Sequence, residues 1–139
     1  MERNFKVKWA GGLSFVGTSG SGHSMVIDGD TQAGMSPMEL LLLSAGSCAC
    51  VDLVLILKKA RQKVVDAWVE IGGERREELP RYYTDIELHF VVVGIDIKEQ
   101  RVKRAIDLAM EKYCSASAQL AALADIRTSF EIIEGDTPA

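Results

Sequence analysis

The stretch Ser36–Lys59, SPMELLLLSAGSCACVDLVLILKK, decides how the rest of the chain must fold. It opens with a helix start: Ser36 can cap, Pro37 suits the first turn, and Glu39 completes an S-x-x-E capping box. From Leu40 to Leu57 almost every side chain is apolar or small, on all sides of the helix. A helix that is apolar all round is buried all round, so the reading predicts a long central helix wrapped by strands. The run reaches the lower edge of a membrane-spanning length. It carries Ser44, Gly46, Ser47 and Asp52, however, and the remaining chain alternates polar and apolar residues. A core helix is expected, with no membrane partner.

Working outward, the residues before the helix read as three short strands. Phe5, Val7 and Trp9 alternate with Lys6 and Lys8, Ala10-Gly11-Gly12 turns the chain, and Leu13–Gly17 returns. A loop over Thr18–Gly22 leads to a third strand, His23–Ile27. After the helix, whose end is expected between Ala60 and Lys63, Val65–Ile71 alternates again, and Gly72-Gly73 and the charged run Glu74–Glu78 read as its interruption. Tyr82–Val93 is the clearest strand, with Ile86, Leu88, Phe90 and Val92 opposite Asp85, Glu87 and His89. Asp96 and Glu99 suggest a second capping box, opening a helix whose apolar face is Val102, Ala105, Ile106, Ala109, Met110 and Tyr113. It breaks at Cys114-Ser115, where Ser115 can cap a short helix through Ala124. Ile126, Thr128, Phe130 and Ile132 make the last strand. With no repeat and no linker, the expectation is one α+β domain over residues 1–139.

Composition narrows the function. A net charge of −4 and a pI near 5.2 argue against a nucleic-acid partner, because phosphate binding needs a basic face. The opening MERNFKVKWAGG has no apolar signal-peptide core, so a cytoplasmic address is expected, where thiols stay reduced. Three cysteines are present, Cys48, Cys50 and Cys114. Cys48 and Cys50 point about 200° apart on a helix, so they can neither bond to each other nor share a metal. There is no C-x-x-C or H-x-x-x-H spacing, so neither the cysteines nor His23 and His89 suggest a metal site, and no cofactor is implied. His89 continues the polar strand face of Asp85 and Glu87. Cys114 lies at a helix junction, where free backbone N–H groups can favour a thiolate. A mid-helix thiol and a junction thiol make a plausible attacking and resolving couple, with at most one of Cys48 and Cys50 facing the site and the other packing.

S-P-M-E opening an apolar helix, A-x-x-C inside it, and Y-C-S after a later amphipathic helix together resemble the OsmC/Ohr family of osmotically inducible and organic hydroperoxide resistance proteins. The likeness begins at the W-x-G-G-L-x-F hairpin, Trp9–Phe15, and runs through the final strand. The resemblance implies an intertwined homodimer, an α+β fold with a long buried central helix wrapped by antiparallel strands of both subunits. It also implies a cysteine-based peroxidase acting on organic hydroperoxides in oxidative or osmotic stress defence. Cys48 would be the peroxidatic thiol and Cys114 the resolving one, with the disulfide reduced by a dithiol such as a lipoyl group. The family's activating arginine lies in the N-terminal strands and loops, yet no arginine occurs between Arg3 and Arg61. Met38 stands directly after Pro37 where the family has a glutamate, and Glu39 follows one residue later. This resembles an outlying branch, in which Glu39, Arg75 or Arg76 are candidates for activating or positioning the thiol. Arg81 and the partner subunit are further possible sources of the cation. The other class left open is a non-catalytic, ligand-binding or stress-associated dimer with structural cysteines.

Overall fold

The computed structural model describes residues 1–139, which divide into two compact units, Met1–Leu41 and Leu42–Ala139. In the first, β1 (Lys6–Trp9), β2 (Ser14–Thr18) and β3 (Ser24–Asp28) form an antiparallel sheet in that order. The β1–β2 turn requires glycine: Gly11 and Gly12 hold φ of 100° and 56°, and the Trp9 indole N–H donates to the Gly12 carbonyl at 2.8 Å. Phe5, Val7, Met25 and Ile27 line an apolar groove of about 380 Å³ on this sheet. The buried Asp28 carboxylate accepts the N–H groups of Ala33 and Asp30, each at 2.9 Å, and so fixes the loop that leads to the long helix.

Helix α1 spans Pro37–Lys59. Its start is the capping box read from the sequence: the Ser36 N–H donates to Glu39 Oε2 at 2.7 Å, and the Glu39 N–H to Ser36 Oγ at 3.2 Å. Its end is a Schellman motif, in which Gln62 N–H reaches the Leu57 carbonyl and Arg61 N–H the Lys58 carbonyl. Arg61 takes the left-handed position, φ 58°, that glycine usually fills, and the helix stops just before it.

In the second unit β4 (Lys63–Arg75), β5 (Tyr83–Ile95) and β6 (Asp125–Glu134) form a sheet with β5 in the centre. β4 and β5 are antiparallel, whereas β5 and β6 are parallel, Asp85 opposite Asp125 through Gly94 opposite Glu134. This corrects the expectation of antiparallel strands alone. The chain leaves the end of β5 and returns through helices to β5's starting end, a crossover that makes the pairing parallel. β4 also continues through Gly72-Gly73, which pair with Glu87 and Ile86, instead of breaking there.

Two further corrections concern the helices. Only one stripe of α1, Ala45, Ala49, Leu53 and Leu57, is fully buried, and Gly46 beside it abuts Val69 and Ile71 of β4. Leu43, Val51, Val54 and Leu55 are exposed, Val51 by 60%, so α1 is not buried all round within one chain. By length and composition alone it is the one helix able to cross a membrane. The second capping box does not form: Asp96 adopts φ 52°, its N–H donates to the Glu134 carboxylate, and Lys98 takes the N-cap of α2 (Glu99–Leu108). Val102, Ala105, Ile106 and Ala109 are buried, as their helical spacing requires.

Candidate functional site

Beyond Leu108 the helix widens. Ala109–Tyr113 form a π-helical turn, and the Cys114 N–H closes it by donating to the Ala109 carbonyl at 2.7 Å. Cys114 then turns to extended backbone and becomes the N-cap of the short helix α3 (Ser115–Leu120). Its thiol, not the Ser115 hydroxyl, takes the capping part, and α3 ends at Leu120, short of Ala124. A chain that widens and then caps within one turn carries its side chain inward, and Cys114 is only 2% exposed.

The Cys114 sulfur meets polar groups of Ser117 and Ala45. Its S–H donates to Ser117 Oγ at 3.0 Å, the Ser117 N–H donates to it at 3.4 Å, and the Ala45 carbonyl of α1 lies 3.8 Å away. Ala45 and Cys48 are one helical turn apart on the same face, so a sulfur that reaches Ala45 stands beside Cys48. Cys48 is among the groups that act on the Cys114 thiol. All three cysteines are free; Cys48 is half-buried. Burial pushes the Cys114 thiol above its ordinary value, the two Ser117 bonds pull it back, and the neighbouring Cys48 raises it further. No cation is among the groups acting on it. Burial also raises the Cys50 thiol.

The remaining candidates have local parts. Glu39 completes the cap of α1. Arg75 Nε donates to the Arg81 carbonyl at 2.6 Å. Arg76 donates to the carbonyls of Pro80 and Leu79 and lies over the Tyr82 ring, 4.3 Å from its centroid. Both arginines therefore organise the β4–β5 loop. Arg81 Nε donates back to the Arg76 carbonyl. His89 pairs across the sheet with Ser129 at 2.7 Å and Glu131 at 3.4 Å, and His23 with Ser21 at 3.0 Å. Ser117 has no signal in the sequence, because the cap read there is Ser115, and only the shift of the cap to Cys114 places Ser117 three residues on.

A buried thiol held beside a more accessible one can exchange two thiols for a disulfide and back. Comparison with known proteins gives the family. The family model described as OsmC-like protein matches residues 28–129. Protein YhfA of Escherichia coli strain K12 is 48% identical over 129 residues, covering 92% of this chain and 96% of its own. A crystal structure from Aquifex aeolicus VF5 aligns with TM-score 0.87 and 34% identity over 98% of this chain and all of that one. An organic hydroperoxide resistance protein OsmC from Legionella pneumophila aligns with TM-score 0.68 over 93% of this chain and 97% of that one. At 13% identity, that last likeness concerns the fold alone. The chain belongs to the OsmC-like protein family.

Proposed function

We propose that this protein reduces organic hydroperoxides through Cys48 and Cys114, in oxidative or osmotic stress defence. The observation that carries the reading is the buried Cys114 sulfur, set against the Ala45 carbonyl of α1 one helical turn from the half-buried Cys48. Cys48 attacks the peroxide, the O–O bond breaks, the alcohol leaves with a proton, and Cys48 becomes a sulfenic acid. The Cys114 thiol displaces that hydroxyl as water, giving a Cys48–Cys114 disulfide, which a dithiol such as a dihydrolipoyl group reduces. Glu39, Arg75 and Arg76 serve the thiols only where assembly brings them there, since each has a local role in the single chain. The exposed apolar face of α1 needs covering, and a second copy of the chain in a cytoplasmic homodimer is the proposed cover, with neither membrane nor nucleic acid as partner.

The test is mass spectrometry after one equivalent of tert-butyl hydroperoxide. The wild type should give the Cys48–Cys114 disulfide, Cys48→Ser should consume no peroxide, and Cys114→Ser should complete one turnover and stop at the sulfenic or over-oxidised state. Wild-type consumption no faster than that of Cys48→Ser refutes the reading. One observation favours the alternative, a non-catalytic ligand-binding dimer with structural cysteines: the candidate cations Arg75 and Arg76 are bonded to carbonyls of the β4–β5 loop. That refuting result would leave it standing.

A further inference from the structure

Ser117 is as buried as Cys114, at 2% exposure, and both its N–H and its hydroxyl meet the Cys114 sulfur. Its sequence neighbours, Ala116 and Ala118, are alanines, so packing in this small helix does not by itself call for a hydroxyl. A buried hydroxyl is costly without a partner, and a thiol is a weak one. The arrangement gains value when the thiol ionises. The hydroxyl then rotates to donate, and the sulfur receives two donors from one residue, an O–H and an N–H. The bond from Cys114 N–H to the Ala109 carbonyl holds the backbone of the same residue. The sulfur is thereby kept between α1 and α3, beside Cys48.

Resting on the two-thiol reading above, we propose that Ser117 is a positioning residue for the resolving step, holding the Cys114 sulfur toward Cys48 and favouring its thiolate by two hydrogen bonds. In that step the S–S bond forms and the S–O bond of the Cys48 sulfenic acid breaks. The oxygen leaves as water with the Cys114 proton, one sulfur being oxidised as the other is reduced. The groups that act on Cys114 are Cys48 from α1 and Ser117 from α3, with no charged side chain among them. The pull of the two Ser117 bonds against burial has the direction this role needs.

Two arms test it. In the first, the full-length protein receives one equivalent of tert-butyl hydroperoxide; Cys48 sulfenic acid is trapped with dimedone, and the disulfide is followed by mass spectrometry. Ser117→Ala, which removes a single oxygen and leaves packing intact, should form the sulfenic acid at the wild-type rate but the disulfide about 10-fold more slowly. Ser117→Thr, which keeps the hydroxyl, should restore it. In the second, alkylation of Cys114 against pH in the Cys48→Ala background should shift upward with Ser117→Ala and return with Ser117→Thr. Disulfide formation at the wild-type rate in Ser117→Ala, or an unmoved titration of Cys114, overturns the proposal. Absence of both the Cys48 sulfenic acid and the Cys48–Cys114 disulfide in the wild type refutes the peroxidase reading instead, and the titration arm then still decides whether Ser117 governs the thiol.

Discussion

Gly46 sits inside α1, where glycine is a poor helix former, so replacing it with alanine should stabilise an isolated helix by about 1 kcal/mol. The structure reverses that sign. A Cβ at Gly46 would overlap Ile71 Cδ1 and lie 3.0 Å from Val69 Cγ1 and 3.1 Å from Ile71 Cγ1. The Ile71 tip can turn away, but the β-branched Val69 is stiff and belongs to a paired strand. Overpacking of this kind costs about 1–3 kcal/mol, which exceeds the propensity gain. Gly46→Ala should therefore lose about 1 kcal/mol net, lowering the urea midpoint by about 0.5 M at an m of about 2 kcal/mol/M. The titration is run at one fixed protein concentration, because dimerisation would couple to unfolding. A second substitution isolates the cause. Ile71→Val alone should cost about 0.5 kcal/mol, yet in the Gly46→Ala background it should cost nothing or restore stability, because it removes the overlapping methyl. A Gly46→Ala variant more stable than the wild type by the full helix-propensity gain would refute the claim that α1 and β4 are in contact at this point.

Leu53 is fully buried, so Leu53→Ala should destabilise by about 3 kcal/mol in thermal or urea unfolding, and a loss below about 1 kcal/mol would contradict its place in the core. The Ala33 N–H, followed by that of Asp30, lowers the Asp28 carboxyl below its ordinary 3.8. Its contribution to stability is present above that value and lost as pH falls through the lowered one, so the gap between wild type and Asp28→Asn should close on acidification. Burial raises the Cys50 thiol above its ordinary 9.0. The folded state then holds that proton more tightly than the unfolded one, and stability declines as pH rises past 9.0. Cys50→Ala should decline less between pH about 8 and about 10.5, measured by urea midpoint, and equal slopes would sink the assignment.

Much of this molecule follows from local patterns. The capping box at Ser36 and Glu39 and the apolar alternation of Ile86, Leu88, Phe90 and Val92 depend on neighbours a few residues away, and the structure carries both. The opposition of Cys48 and Cys50 follows from helix geometry alone. What tertiary structure decided involves partners distant in sequence. Alternation shows that Asp125–Glu134 is a strand, but it is the same read in either direction, so only the returning helices make β6 parallel to β5. The apolar surface of α1 shows how much must be covered but not by what, and within one chain only the Ala45–Leu57 stripe is covered. Cys114 reads as a residue beside a capping serine. The π-helical turn before it changes which residue takes the cap, and Ser117 becomes its partner. That turn is one residue wider than an α-helical turn, a small backbone difference that the apolar spacing of Val102 to Tyr113 does not encode. It sets the direction of a sulfur toward Cys48, and a direction in space arises only once the helices have packed.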